Sequence, residues 1–190
     1  MKIVLASKSP RRQELLGMLG FKDFTIIPAG DAEVIKAGLT PEETVCEIAL
    51  SKARSVKDRL QGDNLIIAAD TLVYLDGKFL GKPENKEDAK RMLRSLSGKK
   101  HIVYTGVALI RGEKELCAAE ASDVYFRELE ESEIEAYIET GEPMDKAGAY
   151  AAQGLGALFV RRIEGDFFNV MGLPVCRLGI MLREFNLAIL

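Results

Sequence analysis

The stretch LIIAADTLVYL, residues 65–75, constrains the fold more than any other part of the chain. It is a long β-type run interrupted by a single carboxylate, Asp70, and it ends at Asp76-Gly77, a pair that predicts a hairpin turn. The apolar residues Leu65 to Ala69 read as a buried strand, with Asp70 expected at or near its end. An unpaired carboxylate is costly to bury, so Asp70 should meet a metal, a cation or several donors.

The segments around this run alternate in type. MKIVLA reads as a short strand. A helix is predicted from Ser9, as its cap, to Leu19, with Leu15, Leu16 and Leu19 inward and Gly20 ending it. A second helix begins near Pro41, carries Glu42 and Glu43 in its first turn and runs to about Leu60. Asn85 and Asp88 predict the start of a third, through Leu96, closed by Gly98. HIVYTGVALI and ELCAAEASDVYF read as strands joined around Arg111-Gly112, and Ser132 with Glu135 predicts a short helix. The Gly-rich loop GEPMDKAGAYAAQGLG follows, then a strand ALFVRRI and a final helix from about Pro174 to Phe185. Early alternation and mid-chain clustering of strands predict an α/β fold with a mixed sheet.

With 190 residues the chain can bury one sizeable core, divided at most into two lobes. Its net charge of −3 argues against a general binder of nucleic acid or membrane surfaces, so any positive patch must be local and built for a small anion. Cys46, Cys117 and Cys176 form no C-x-x-C pair and are expected to be buried thiols in a reducing compartment. The start lacks a basic segment followed by an apolar core, and no apolar run approaches the ~20 residues that span a bilayer. A cytoplasmic location is the expectation.

Lys52 lies on the apolar stripe of the second helix, with Val45, Ile48, Ala49 and Val56. Alone, it would most simply pack its stem and release its ammonium to water; beside Asp70 it points to a cleft that holds an anion. Lys82, in Gly81-Lys82-Pro83, follows soon after in a loop. GKFLGKP is no phosphate loop, because its glycines are too close and no Ser or Thr follows the lysine, and GLGALF lacks the third glycine of a dinucleotide fingerprint. His101, the single histidine, is read as ordinary strand packing. A metal, if present, must then have oxygen ligands such as Asp70 with Glu33 or Asp31, a set that favours Mg²⁺ or Mn²⁺. Arg11 and Arg12 fall in a first helical turn whose amides already carry partial positive charge, where cations are disfavoured. With Ser7 and Ser9 they are expected to make a receptor for a polyanion, the helix dipole and the guanidinium forks acting together; the alternative, for one of the two, is a surface arginine on a solvated helix start.

Three segments in order, LASKSPRRQELL, AADTLVYLDGKFLGKP and GEPMDKAGAYAAQGLGALFVRRIEG with NVMGLP, resemble the Maf family of nucleoside triphosphate pyrophosphatases over nearly the whole chain. The resemblance implies a single domain over residues 1–190 of inosine-triphosphatase-like (Maf/Ham1) type, with two lobes flanking a cleft and frequent homodimerisation. It also implies cleavage of a nucleoside triphosphate to the monophosphate and pyrophosphate with a divalent cation. Asp70 takes the role of catalytic acid/base, and Ser7, Arg11, Arg12, Glu33, Lys52 and Lys82 match positions lining the family's active site. GEPMDKAGAY followed by Gln153 looks like the branch acting on dTTP and UTP, in which Arg12, Thr71 and Gln153 fall at positions of pyrimidine choice. The Gln153 amide offers a donor and an acceptor to the imide edge of uracil or thymine. A broader house-cleaning pyrophosphatase, or a nucleotide-binding regulator of septum formation and cell division, is the alternative expectation.

Overall fold

In the computed structural model, which describes residues 1–30 and 35–190, the first strand, β1 (Lys2–Leu5), lies between two parallel partners. One is β2 (Phe24–Ile26), with Leu5 level with Ile26; the other is β3 (Asn64–Leu75), with Leu5 level with Ile67. Parallel neighbours need crossovers, supplied here by helices α1 (Pro10–Met18) and α2 (Pro41–Lys57). The chain continues through β4 (Lys78–Leu80), α3 (Lys86–Leu96), β5 (Lys100–Arg111), β6 (Lys114–Phe126), α4 (Glu131–Glu139), β7 (Val160–Glu164), α5 (Phe167–Met171) and α6 (Val175–Arg183). Strand order is β2-β1-β3-β5-β6-β7, with β4 antiparallel on β3 and β7 antiparallel on β6, so the sheet is mixed as expected.

The chain divides into two compact units: Met1–Asp70, Thr105–Glu120 and Gly172–Leu190 form the first, Thr71–Tyr104 and Ala121–Met171 the second. In the first, Ala49, Ala53 and Val56 of α2 pack on Val4, Ala6, Ile66, Ala68, Ala108 and Ile110 of the sheet. Small side chains let the helix sit close. At Gly106 even a Cβ atom would fall 2.3 Å from the Val45 carbonyl oxygen, so that residue fixes where α2 rests. In the second unit α3 contributes Ala89, Met92, Leu93 and Leu96, and α4 contributes Ile134, Tyr137 and Ile138, to a core shared with Phe126, Tyr150 and Phe159.

Several expectations are corrected. β3 does not stop at Asp70. Thr71 to Leu75 prolong it and pair through the Asp76-Gly77 hairpin with β4, so Asp70 is buried in mid-strand, where the first unit passes to the second. Ser9 precedes α1, yet its side chain makes no cap bond. α4 begins at Glu131, because Glu133, rather than Ser132 with Glu135, closes its first turn by accepting from the Glu130 amide at 3.0 Å. Ala157 to Phe159 lie in a short 3-10 turn ahead of β7. α2 ends at Lys57 and α6 at Arg183, each short of the expected limit. All three cysteines are free thiols, but Cys46 and Cys117 are only partly buried and Cys176 is exposed. Among the described residues no helix is long and apolar enough to cross a membrane. Asp31 and Glu33 lie outside the described residues.

Candidate active site

The end of β1 starts the site. The Ala6 amide donates to the Ile67 carbonyl at 2.8 Å, which carries the parallel register past Leu5 and sets Ser7 beside the stretch of β3 leading into Asp70. Ser7 is buried, and its Oγ accepts from the Ser9 amide at 3.2 Å and from Arg12 Nη1 at 3.3 Å. Arg12 Nε donates to the Gly172 carbonyl at 2.7 Å, so the guanidinium is anchored from two segments. Arg11 is half-buried on the same turn. α1 has no acidic residue in its first turn and no side-chain cap, leaving its amides and two arginines at one end. Partial positive charge and two guanidinium groups are thus set at one end, a setting that favours an anion.

The second element is an ion pair. Val45, Ile48, Ala49, Ala53 and Val56 turn one face of α2 onto the sheet, and Lys52 shares that stripe. Its ammonium does not escape to water: Nζ donates to Asp70 Oδ1 at 2.5 Å, with the side chains 15% and 4% exposed. A buried carboxylate needs such a counter-charge, and removing one partner of such a pair commonly costs about 3–5 kcal/mol. Ser7, Ser9, Arg11, Arg12, Lys52 and Asp70 thus all belong to the first unit.

Thr71, Lys82 and Gln153 belong to the second. Lys82 is exposed on the turn after β4, and the neighbouring Gly81 carbonyl accepts from the Gly148 amide at 3.0 Å. That bond ties the lysine's turn to the loop carrying Gln153, which is exposed. His101 is buried as expected, with Nε2 2.8 Å from the Tyr150 hydroxyl. Burial pushes its pKa down to about 4, so the imidazole is neutral and serves to hold Tyr150 in place.

Sequence reasoning missed two supports. The Gly172 carbonyl that anchors Arg12 is a backbone atom with no side-chain signature. Glu142, inside the GEPMDKAGAY segment, accepts from the Tyr137 hydroxyl at 2.8 Å and from the Leu155 and Gly156 amides, each at 3.1 Å. Burial acts to raise its pKa, but these donors, the Gly156 amide foremost, outweigh it and hold the carboxyl below its usual value. The one available signal was an acid set among glycines.

The Maf-like protein family model matches residues 2–185. The chain is 50% identical to the dTTP/UTP pyrophosphatase of Caldicellulosiruptor bescii, over 97% of this chain and 95% of that one. It is 47% identical to the dTTP/UTP pyrophosphatase of Thermoanaerobacter pseudethanolicus over the whole of both chains. Among solved structures the Staphylococcus aureus Ham1 protein aligns with a TM-score of 0.52 at 13% identity, covering 97% of this chain and 99% of that one. At that identity the likeness is one of fold, and it bears out the inosine-triphosphatase-like architecture.

Proposed function

Because the chain belongs to the Maf-like protein family, we propose that it hydrolyses dTTP and UTP to the monophosphate and pyrophosphate. The Lys52–Asp70 pair carries this reading. The ammonium fixes the carboxylate through Oδ1 and balances its charge inside the core, so a base is held ready on a rigid strand. Asp70 orients, and takes a proton from, water attacking in line on the α-phosphorus. Arg12, Lys52 and the open amides of α1 meet the charge that gathers on the phosphate oxygens and on departing pyrophosphate. Ser7 and Gly172 hold Arg12 in its place for that task. Ser9 and Arg11 add to the same receptor. Lys82 is assigned to the phosphates, and Thr71 and Gln153, with Arg12, to choice of base.

A divalent cation, Mg²⁺ or Mn²⁺, is part of the proposal. Among the described residues no three His, Cys, Asp or Glu side chains gather into a protein cage. Asp70 supplies a hard carboxylate oxygen, and such ions are ordinarily held by one or two carboxylates with substrate phosphates and water, so the donor set fits. When bound, the cation would neutralise phosphate charge and make a coordinated water more acidic. A cytoplasmic, homodimeric enzyme is the accompanying proposal.

Asp70→Asn tests the chemistry. The variant should bind nucleotide yet lose about 100-fold or more in turnover, read as pyrophosphate release. Turnover at the wild-type rate would remove Asp70 from the reaction. The same assay over pyrimidine, purine and 7-methyl-GTP substrates tests base choice. Preference for a purine would end the pyrimidine reading, and silence with every triphosphate would favour a nucleotide-binding regulator instead.

A further inference from the structure

The loop that carries Gln153 has little regular structure of its own: short 3-10 turns at Glu142–Asp145, Ala147–Ala149 and Leu155–Phe159, with Gln153 in the stretch between the last two. The Gly148 amide ties the loop to the Gly81 carbonyl, and on either side of Gln153 its backbone is held by one tyrosine and one carboxylate. Tyr137, buried on α4, donates its single hydroxyl proton to Glu142 Oε1 at 2.8 Å and accepts from the Ala151 amide at 3.1 Å. Glu142 Oε1 also accepts from the Gly156 amide, and Oε2 from the Leu155 amide. Amides on both sides of Gln153 are therefore tied to the same two side chains, and the loop is closed like an arch with Gln153 along its span. Gly154 completes the fit. Its φ is +151°, and a Cβ there would lie 2.7 Å from both Glu142 oxygens. Only glycine lets the carboxylate reach the amides behind it.

We propose that Tyr137 and Glu142 are positioning residues for base selection, setting the arch that presents Gln153 to the nucleobase. The proposal rests on the assignment of Gln153 to base choice. Neither side chain needs to touch substrate; they act by removing the freedom of the segment that does. Donor and acceptor roles are fully matched only with the phenol protonated and Glu142 ionised, so each hydrogen bond in the arch is specified.

Tyr137→Phe removes the hydroxyl but keeps the ring that packs edge-on to Phe159, 4.9 Å between centroids. Glu142→Gln keeps the size of the side chain and turns one acceptor into a donor facing loop amides. Calorimetric affinities for the α,β-imido analogues of dTTP and dGTP give each variant's preference without requiring hydrolysis. Each variant should lose about tenfold of the wild-type preference, while affinity for the disfavoured analogue changes less than about twofold. General damage would weaken both analogues alike. Tyr137→Phe combined with Gln153→Ala should be no less selective than Gln153→Ala alone, since the pair acts through that residue. Folded variants that keep the wild-type preference, equal weakening of both analogues, or additive losses in the double variant would overturn the proposal. A wild-type preference for the dGTP analogue would count against the pyrimidine reading alone, because the variants would then be judged by loss of that preference. Equal wild-type affinities would overturn both.

Discussion

Helices α1 and α2 both open with proline in the first turn and both belong to the first unit, yet their N-termini are built on opposite plans. At α2, Thr40 Oγ1 accepts from the Glu43 amide at 3.2 Å, and Glu43 Oε2 accepts from the Thr40 amide at 2.8 Å. Glu42 and Glu43 sit at the positive end of the dipole, and Arg54 and Lys57 at the negative end. Each feature stabilises the helix, the cap by about 1 kcal/mol and each charge by about 0.3–1 kcal/mol. At α1 none of this is present. Its cap residue makes no side-chain bond, its first turn holds Arg11 and Arg12, and its last turn carries no basic residue. A chain able to finish one helix end so completely leaves the other without a side-chain cap where β1 delivers Ser7. The contrast is between an end finished by its own side chains and one that we propose receives the polyphosphate.

The contrast can be broken most sharply at Arg12. Arg12→Ala removes a guanidinium seated by the Gly172 carbonyl and Ser7, and should lower kcat/KM for dTTP by about 100-fold in steady-state pyrophosphate release. A loss below about threefold would mean that the open end of α1 does not receive the polyphosphate. A smaller effect of two signs is expected from Ser9→Asp, which gives α1 the acidic cap it lacks. Thermal melting should rise by the equivalent of about 0.5–1 kcal/mol, while nucleotide affinity falls about tenfold as a fixed carboxylate takes the anion's place. Greater stability with unchanged affinity would show that nothing negative binds there.

How far the sequence reveals this depends on whether the deciding contact is local. The start of α2 at Pro41 with its first-turn acids, the capping pair of α3, the hairpin at Asp76-Gly77 and the stripe that places Lys52 are all local patterns, and each is legible, whereas the Thr40 cap of α2 is not among the expectations. β2 was not. Its three residues are only half-buried or exposed, and it becomes a strand because β1 offers it a parallel edge. The sequence places Asp70 at or near a strand end because it follows the apolar run Leu65 to Ala69. Its mid-strand place depends on Lys52, contributed by the face of another element, and on the hairpin that prolongs β3. The supports of Arg12 and Gln153 were invisible for a related reason. One is a carbonyl supplied by the chain at Gly172, and the other is a carboxylate that folds back onto amides at Leu155 and Gly156. Residue types announced the chemistry, but the partners that aim it come from packing.

The smallest effect sharpens the comparison from the α2 side. Thr40→Ala removes the side chain that receives the Glu43 amide and should cost about 1 kcal/mol, a melting shift of about 2–4 °C for a chain of this size. It should leave kcat and KM unchanged. Lys52 lies twelve residues further along α2, about 18 Å at 1.5 Å per residue. Between the two, Gly106 lets the sheet backbone press against Val45 and Cys46, clamping the helix beyond its first turn. Fraying at Thr40 therefore ends before it reaches the residue that holds Asp70. Should turnover fall along with melting temperature, the clamp does not isolate the pair, and the α2 cap would join the open end of α1 in the proposed catalytic machinery.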